Sequence, residues 1–503
     1  MRIRGSDRRP LWWGNSGDTP GPPSELPARV EVLIVGAGLT GLCTAVRLAR
    51  AGLVPTVIDA RRAGSGTTGH SSAKVSLLQG SMLQRLARHA STETVAAYIA
   101  ANRSGQEWLL DLLRERDVPF DTRLAMTYAV TESGAKDVEA ERQASRDAGL
   151  EIIDVGQGDL PFPVLDAIGL PDQAQIDPVA TVRALVAELE SFGGRVIEGI
   201  RMTGSSFTRP WMVSTTAGEV RAEHLVLATQ APVLDRSLDF ARIKAYRSYV
   251  LAYPVADLLN VPQSMSLSLD DPTRSLRTAS TGEGDFLLVG GNGHEVGHGG
   301  STQARVDEIH AWASSHLPVD EPAWSWSAQD YHLTTQVPHI GAVPGTAERL
   351  FVATGYDKWG MALASAAGEL ISGDILGSAP AYAEALRAKG IRTADITETA
   401  AQGASVGGRL VGDRVRLAAP GSGQTPPGEG AGRVEGNPVR PTAVSTVDGR
   451  TCALSAVCTH LGGVVAWNDA ERSWDCPLHG SRFAPDGTLI EGPATSDLEP
   501  VTE

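Results

Sequence analysis

Two cysteines and two histidines near the carboxyl end of the chain have the spacing of a metal site. One residue separates Cys458 from His460, two residues separate Cys476 from His479, and fifteen residues lie between the two pairs. Each of the two loops therefore offers one thiolate and one imidazole. Such a set suits a 2Fe-2S cluster with two cysteines on one iron and two histidines on the other. Zinc modules more often group the cysteines in one loop and the histidines in another, so the alternation favours iron over zinc.

The residues around these four ligands resemble Rieske 2Fe-2S domains. The resemblance extends through Trp467-Asn468, Ser473-Trp474-Asp475, Gly480-Ser481-Arg482-Phe483, Asp486-Gly487 and Gly492-Pro493-Ala494. High-potential relatives carry an additional cysteine in each loop, where this chain has Gly463 and Leu478, and often a tyrosine where it has Phe483. Because fewer hydrogen bonds then reach the cluster, we expect a reduction potential below that of respiratory Rieske proteins.

A second chemical signature, the turn Gly36-Ala37-Gly38-Leu39-Thr40-Gly41, follows the apolar segment Val30–Val35 and opens an apolar helical stretch. Gly36 permits the tight turn, Gly38 lets the backbone approach a pyrophosphate at the helix amino terminus, and Gly41 permits close helix–strand packing. Asp59 ends the next predicted strand, where a carboxylate suits ribose hydroxyls. The sequence therefore predicts a dinucleotide site.

The segment after Asp59 favours FAD over NAD, because residues 61–74 form a second loop rich in glycine and hydroxyl side chains. With Ile176-Asp177-Pro178, Leu225–Gln230 and Val352–Met361, this loop resembles the D-amino-acid oxidase, sarcosine oxidase and dimethylglycine dehydrogenase superfamily of FAD enzymes. The resemblance implies a helix amino terminus at the flavin pyrimidine ring, where the helix dipole would stabilise negative charge. Besides the glycine turn and Asp59, the implied FAD contacts are Ala60, Arg61, Gly66, Thr67, Thr68, His70, Ser72, Met202, Thr229, Gly355, Trp359, Gly360 and Met361.

His70 has two interpretations. Thr67-Thr68-Gly69-His70 resembles the loop that carries a covalent histidyl–flavin bond in relatives of dimethylglycine dehydrogenase. The alternative is a histidine that only forms a hydrogen bond near the ring. Both interpretations stay open on the sequence.

The residues that act on substrate are less clearly marked. Lys358, Trp359 and His294 are the candidate catalytic residues, and each has a structural role as its alternative. Further candidates for contact with substrate or flavin are Tyr249, Arg274, Arg277 and Lys74. In the sarcosine oxidase pattern a lysine follows the Gly-aromatic pair, whereas this chain has Ala362 there, which argues against a simple amino-acid substrate.

The predicted fold is an α/β FAD-binding domain, Rossmann-like and of glutathione-reductase type, with an interleaved α+β substrate domain and a small all-β Rieske domain at the carboxyl end. We expect an exposed arm over 1–28, the flavoprotein over 29–380, a linker over 381–405 and the Rieske domain over 406–503. Within the flavoprotein, the FAD-binding segments are about 29–90, 176–235 and 330–380, and the substrate segments about 91–175 and 236–329. A separate NAD domain has little support, since Gly291, Gly293 and Gly297 are spaced one residue too long.

The composition of the chain argues against some classes of binding partner. The 503 residues carry a net charge of −15, which argues against nucleic acid or an anionic membrane surface. Arg8-Arg9 is not followed by an apolar segment, and no apolar run is long enough to span a bilayer. Four cysteines do not make a disulfide scaffold, and Cys43 and Cys452 are predicted to be structural thiols. We therefore expect a cytoplasmic protein.

Three classes of function fit these motifs. The favoured one is a dehydrogenase that oxidises a small, amine-type substrate at FAD and passes electrons singly through the cluster to an external acceptor, such as a redox protein or quinone. The second is an oxidase that reduces oxygen and has a regulatory or vestigial cluster. The third is a redox sensor or electron-transfer protein without catalysis. A Rieske dioxygenase is disfavoured, because the catalytic region carries the FAD pattern instead of a mononuclear iron motif.

Overall fold

The computed structural model describes residues 8–14, 21, 25–207, 209–231, 233–234, 242–346, 349–387, 425–437 and 439–501. The predicted linker from 388 onward, and the predicted Rieske region as far as 424, lie outside the described residues.

The helices are α1 (Leu39–Arg50), α2 (Thr67–His70), α3 (Met82–His89), α4 (Thr92–Glu115), α5 (Glu132–Asp147), α6 (Pro178–Ser191), α7 (Thr302–His316), α8 (Gly360–Leu376) and α9 (Ala383–Leu386). The strands before residue 230 are β1 (Arg29–Val35), β2 (Thr56–Ile58), β3 (Lys74–Val75), β4 (Phe120–Ala129), β5 (Ile153–Asp154), β6 (Asp166–Ile176), β7 (Arg195–Ile197), β8 (Met202–Ser205), β9 (Trp211–Thr215) and β10 (Gly218–Leu227). Those that follow are β11 (Ile243–Pro254), β12 (Met265–Ser268), β13 (Arg274–Thr281), β14 (Gly284–Glu295), β15 (Trp324–Leu333), β16 (His339–Ala342), β17 (Leu350–Thr354), β18 (Gly432–Asn437), β19 (Arg440–Val447), β20 (Arg450–Ser455), β21 (Ala466–Asn468), β22 (Ser473–Asp475), β23 (Arg482–Phe483) and β24 (Leu489–Glu491).

The first sheet has the order β16-β17-β10-β1-β2-β7, and β10, β1, β2, β7 and β17 are joined by parallel pairings. Val32, Leu33 and Ile34 of β1 are completely buried, as expected for a parallel strand covered on both faces. Helices α1 and α8 pack against each other next to this sheet. Because β1 runs directly into α1, the glycine turn lies at the carboxyl edge of the sheet, where such folds bind their ligands.

The second sheet is mostly antiparallel and has the order β15-β11-β14-β13-β12-β4-β6-β3. Its strands come from segments that alternate along the chain with those of the first sheet, which confirms the interleaved α/β and α+β fold. The segment Phe286–Glu295, which contains Gly291 and Gly293, lies in β14 of this sheet and is not a second nucleotide turn. Strand β3 directly follows the second predicted FAD loop, residues 61–73, and pairs with β6. This pairing anchors the end of the loop to the second sheet.

The carboxyl-terminal region contains two small antiparallel sheets, β18-β19-β20 and β21-β22-β23-β24. Trp474 and Phe483 are completely buried in its core. The all-β class predicted for this region is therefore confirmed.

The amino-terminal segment differs from the prediction of an exposed arm, which is wrong for Leu11–Trp13. These residues form a 3-10 turn, and Leu11, Trp12 and Trp13 are 1%, 6% and 3% exposed. The Trp12 indole N–H donates to the Ser71 carbonyl at 2.9 Å, and the Trp12 ring lies under the Arg277 guanidinium. Burial of large aromatic side chains stabilises the fold, and here these side chains cover the back of the second predicted FAD loop.

No helix within the described ranges is long and apolar enough to cross a membrane.

Candidate functional site

A cavity of about 540 Å³ is lined by residues from both large sheets. Its volume falls within the range of roughly 300–1,000 Å³ that is usual for cofactor and ligand sites. The predicted residues that line it are Gly36, Gly38, Leu39, Thr40, Asp59, Ala60, Arg61, Gly66, Thr67, Thr68, His70, Ser72, Met202, Thr229, Lys358, Trp359, Gly360 and Met361. The fold therefore brings the three separated FAD motifs to one cavity.

Four of the predicted FAD-contact and catalytic residues do not line this cavity. The Ala37 N–H donates to the Asp59 carboxylate at 2.8 Å. Gly41 packs beneath the turn, where an added Cβ would lie 2.0 Å from the Gly36 carbonyl oxygen. Gly355 has a φ of +77°, and a Cβ there would lie 2.2 Å from a Leu333 methyl group. These three positions shape the site from behind, and the fourth, His294, is described with the substrate side below.

The residues at the glycine turn fit the diphosphate and ribose of FAD. Gly36 has a φ of +106°, and a Cβ there would lie 2.5 Å from the Ala228 carbonyl oxygen, so only glycine is accommodated. Gly38 precedes α1 and leaves the helix amino terminus open to the cavity, where backbone N–H groups attract anions. Asp59 accepts hydrogen bonds from Ala37 and Arg61 N–H at 2.8 Å each. Burial raises the pKa of the Asp59 carboxyl, and these two hydrogen bonds oppose the rise.

The second loop places His70 at the cavity wall. Its Nδ1 lies 2.9 Å from the Gly66 carbonyl, and its own carbonyl accepts the Trp326 indole N–H at 2.8 Å. Burial, assisted by the charge of Arg61, lowers the pKa of His70 to about 3. A neutral ring whose Nδ1–H donates to Gly66 leaves Nε2 unprotonated. This arrangement is compatible with both interpretations of His70, a bond to the flavin or a hydrogen bond beside it.

The turn between β17 and α8 has an unusual backbone. Asp357 and Lys358 have φ values of +48° and +71°, a conformation that persists only where surrounding contacts hold it. The Asp330 carboxylate accepts the Lys358 N–H. Asp357 forms ion pairs with Arg85 at 2.5 Å and His332 at 2.8 Å.

Burial alone would raise the pKa of Asp357, but His332 and Arg85 outweigh it and hold the pKa below its usual range. The ionised Asp357 therefore anchors the turn that presents Lys358 and Trp359 to the cavity.

The substrate-domain face of the cavity includes Lys74 and Tyr249. The Lys74 ammonium donates to the Ser266 carbonyl and the Ser275 hydroxyl, both at 2.8 Å. Burial, together with the nearby charge of Arg277, lowers the pKa of Lys74 to about 7. His294 lies behind Tyr249, since its Nε2 is 3.0 Å from the Tyr249 hydroxyl.

His294, Arg277 and Arg274 are held by contacts that limit their reach into the cavity. Burial lowers the pKa of His294 to about 4, so its ring is neutral at pH 7. Arg277 lines the cavity, yet its guanidinium donates to the carbonyls of Ser72, Ala73 and Ile176. Arg274 is absent from the lining and is engaged by Asn292 and Glu308.

The four predicted iron ligands lie on two loops of similar construction. In the first, Cys458 N–H donates to Gly463 O at 2.8 Å, and Gly462 N–H to Cys458 O at 3.1 Å. In the second, Cys476 N–H donates to Ser481 O at 2.7 Å, and Gly480 N–H to Cys476 O at 2.9 Å. Gly462 and Gly480 close the loops with φ values of +75° and +74°, which glycine adopts readily.

The chemistry of this donor set fits a 2Fe-2S cluster. Cys458 and Cys476 are buried free thiols in contact, and this contact lowers the pKa of Cys458 and raises that of Cys476. The His460 and His479 rings are 5.1 Å apart. The buried Nδ1 of His460 has no hydrogen-bond partner among the described residues, as suits an atom that ligates a metal. No three side chains of the described regions converge on a single metal position, and a two-iron cluster needs only two protein ligands at each iron.

One ligand loop faces the flavoprotein. The Tyr331 hydroxyl donates to the His479 carbonyl, and the Gln329 side-chain amide donates to the Gly480 carbonyl, both at 2.9 Å. His479 is 1% exposed, whereas His460 is only half-buried. The Rieske segment 490–494 also lines the FAD cavity. The two predicted cofactor sites are therefore adjacent, and β15 contacts the loops of both.

A buried ion pair joins the same two regions. Arg247 of β11, 1% exposed, lies 3.6 Å from the Asp475 carboxylate, which also lies 3.4 Å from Arg482. Burial alone would raise the pKa of Asp475, but the two guanidinium groups outweigh it and lower the pKa. A second contact between the regions is made by Asp469, which accepts the Thr302 N–H at 2.8 Å and the Gln303 N–H at 3.0 Å at the amino terminus of α7.

Sequence reasoning did not identify the residues that join the two sites. Arg247, Gln329 and Asp330 stand in strands without a motif of known chemistry. A buried arginine in a strand is the one local signal, because such a charge requires a partner.

Comparison with known proteins identifies the two regions. Residues 31–373 match the family model DAO, FAD dependent oxidoreductase, and residues 423–502 match the Rieske [2Fe-2S] domain. Over 498 residues, 97% of each chain, the protein is 28% identical to the Rieske 2Fe-2S iron–sulfur protein YhfW of Bacillus subtilis. A 49-residue segment, 10% of this chain and 28% of the relative, is 55% identical to the cytochrome b6-f complex iron–sulfur subunit of a Synechococcus species.

Solved structures share the fold of the larger region. L-proline dehydrogenase from P. horikoshii has a TM-score of 0.60 at 18% identity, and glycine oxidase from Geobacillus kaustophilus has 0.59 at 20%. Each alignment covers 71% of this chain and 96% of the other. The larger region binds FAD and the smaller binds a 2Fe-2S cluster. The chain therefore belongs to the DAO family of FAD-dependent oxidoreductases and carries a Rieske 2Fe-2S domain at its carboxyl end.

Proposed function

We propose that this protein is a dehydrogenase that oxidises a small amine-type substrate and delivers the electrons, one at a time, through its cluster to an external acceptor. FAD takes up two electrons with a hydride, whereas a 2Fe-2S cluster carries one electron at a time. Oxidation of one substrate molecule to an imine releases two electrons and two protons. Two single transfers through the cluster then balance the reaction.

The contact between β15 and both cofactor-binding loops carries this proposal. The Gln329 carbonyl accepts the Thr67 hydroxyl at 2.6 Å, and Thr67 lines the FAD cavity. The side chains of Gln329 and Tyr331 donate to the loop that bears the iron ligand His479. An oxidase that passes its electrons directly to oxygen has no need of a cluster whose ligand loop is hydrogen-bonded to the wall of the flavin cavity.

Lys358 supports an amine that also carries an anionic group, because its side chain lines the cavity and is exposed there. Lys74, the other lysine of the lining, suits a different role. Because the pKa of Lys74 is lowered to about 7, its unprotonated form is accessible near neutrality and can accept a proton from an ammonium group. The structures that share the fold include a proline dehydrogenase and a glycine oxidase, whose substrates also contain a C–N bond beside a carboxylate.

An anaerobic screen tests the proposal. The holoprotein is mixed with a panel of amines and N-methyl amino acids, and bleaching of the flavin absorbance identifies a substrate. The electron paramagnetic resonance signal of the reduced cluster is then expected to grow as the flavin is reoxidised, with two electrons recovered per substrate in an external one-electron acceptor.

The alternatives give different results. Stoichiometric peroxide during turnover, unchanged in Cys458→Ser, would contradict the dehydrogenase and establish the oxidase. Reversible reduction of the cluster without turnover of any amine would point to a sensor or electron-transfer protein.

A further inference from the structure

Gln329 is bonded to both cofactor-binding loops. It is 2% exposed, and its backbone carbonyl accepts hydrogen bonds from Thr67 Oγ1 at 2.6 Å and from Gln230 Nε2 at 3.0 Å on the flavin side. On the cluster side, its side-chain nitrogen donates to the Gly480 carbonyl at 2.9 Å and to the Tyr331 hydroxyl at 3.0 Å. Gln329 thus connects the two loops by itself, since its main chain is hydrogen-bonded to the flavin side and its side chain to the cluster side.

Tyr331 completes the contact. Its hydroxyl accepts from Gln329 and donates to the carbonyl of the predicted iron ligand His479 at 2.9 Å. Tyr331 is 1% exposed, so neither partner has water as a substitute if this hydrogen bond is lost. A buried carbonyl without a donor is costly, and the ligand loop would shift to recover one.

The fit around Gly480 is equally tight. Gly480 has a φ of +74°, and an added Cβ would lie 2.6 Å from both Ala245 Cβ and Gln329 Nε2. The ligand loop therefore packs directly against side chains of the flavoprotein, with no space for a side chain at position 480. Arg247 donates to Gln329 Oε1 at 2.6 Å, which fixes the orientation of the amide so that its nitrogen faces Gly480.

We infer that Gln329 and Tyr331 are positioning residues for electron transfer, which hold the His479 loop against the flavin-site wall and form the bonded route between the two centres. This inference rests on the proposed function. Each transfer moves one electron without making or breaking a covalent bond, and an external one-electron oxidant removes it.

Flash photolysis of the holoprotein tests the inference without a known substrate. Photoreduced 5-deazaflavin delivers electrons to the protein, and absorbance follows the flavin and the cluster separately. Transfer within one molecule is the phase whose rate is independent of protein concentration. We expect Gln329→Leu and Tyr331→Phe to slow this phase by about tenfold or more, since small displacements in a positioned site have large effects on rate.

Tyr253→Phe is the matched control. Tyr253 is also a buried tyrosine in the second sheet, and its hydroxyl lies 3.2 Å from His310 Nδ1, away from the cavity. It is expected to lose comparable stability and keep the wild-type rate of internal transfer. The cluster potential is measured in parallel, because a change at the His479 carbonyl shifts that potential in Tyr331→Phe and not in Tyr253→Phe.

The outcomes separate the two proposals. If wild-type protein shows no internal transfer, the proposed function is wrong. If wild type transfers electrons and both variants, with full iron and flavin content, match its rate, the positioning role is wrong. Should Gln329→Leu fail to fold or to retain its cluster, Tyr331→Phe alone decides.

Discussion

Neutralising Asp475 is the most direct test of how the Rieske domain is held. Its carboxylate lies between two guanidinium groups, 3.6 Å from Arg247 and 3.4 Å from Arg482, and is 2% exposed. Asp475→Asn keeps the shape and leaves both arginines buried without the anion between them. Arg482 retains Glu471 and Glu491 at 3.3 and 3.8 Å, whereas Arg247 retains only neutral partners among the contacts described here.

The magnitude follows from this geometry. Two unit charges 3.6 Å apart attract by roughly 4–5 kcal/mol at an effective dielectric constant of about 20. Removal of one partner from a buried pair costs about 3–5 kcal/mol, because the other charge remains desolvated. We therefore expect Asp475→Asn to destabilise the docked Rieske domain by about 3 kcal/mol. Arg247→Met should cost less, since Asp475 keeps Arg482 and the hydrogen bonds from Asn468 and Ser473.

Urea unfolding is the assay, with circular dichroism of the cluster in the visible range and flavin fluorescence recorded separately. Two probes are needed because a chain with more than one domain does not unfold in one step. Asp111→Asn is the control: Asp111 pairs with Arg114, but both side chains are mostly exposed, so a loss below about 1 kcal/mol is expected. Because Asp475 directly precedes the predicted iron ligand Cys476, the iron content of each variant is measured to check that it retains the cluster.

The double variant Arg247→Met with Asp475→Asn gives the decisive comparison. Removal of both charges relieves the unpaired cation, so the double variant should be more stable than Asp475→Asn alone. If Asp475→Asn is no more destabilising than Asp111→Asn, or if the two changes at the interface are simply additive, then this ion pair does not hold the domains together.

Other changes test separate parts of the structure. Phe483→Tyr should raise the reduction potential of the cluster, because a hydroxyl adds a donor near the ligand sulfurs; an unchanged potential in a redox titration would contradict this. Burial raises the pKa of Glu141 from 4.5 to about 7. Between these two pH values the folded state binds more protons than the unfolded state, so the free energy of unfolding falls by about 3 kcal/mol in total as the pH rises from 4.5 to 7. Glu141→Gln should remove this slope, and equal slopes in denaturant titrations at pH 4.5–7.5 would refute the assignment. Gly36→Ala should abolish FAD retention, because its Cβ would meet the Ala228 carbonyl oxygen at 2.5 Å; stoichiometric flavin in the purified variant would be the opposite result. Trp12→Ala should cost about 3–5 kcal/mol and loosen the second FAD loop, seen as faster flavin release on dilution, whereas wild-type release would show that the segment is not part of the site.

Local patterns were sufficient for the first elements of the chain and for the prediction of two cofactor sites. Val30–Val35 and Gly36–Gly41 predicted β1, the turn and α1, because a buried parallel strand and a glycine turn each have a short-range signature. The predicted iron ligands could be named because loop ligands of one cluster stand at short spacings in the chain.

The sequence by itself determined the two cofactors, the all-β class of the carboxyl end and the interleaved flavoprotein fold, since these depend on residues near one another in the chain. Only the tertiary structure decided which surfaces meet. Arg247 and Asp475 are far apart in sequence, and Gln329 contacts Thr67 on one side and Gly480 on the other. The burial of Trp12 against Ser71 was equally invisible, because a polar, proline-rich surrounding segment has the composition of an exposed arm. Pairing across such separations depends on desolvation and on the complementarity of whole surfaces, and neither has a periodic signature in the chain.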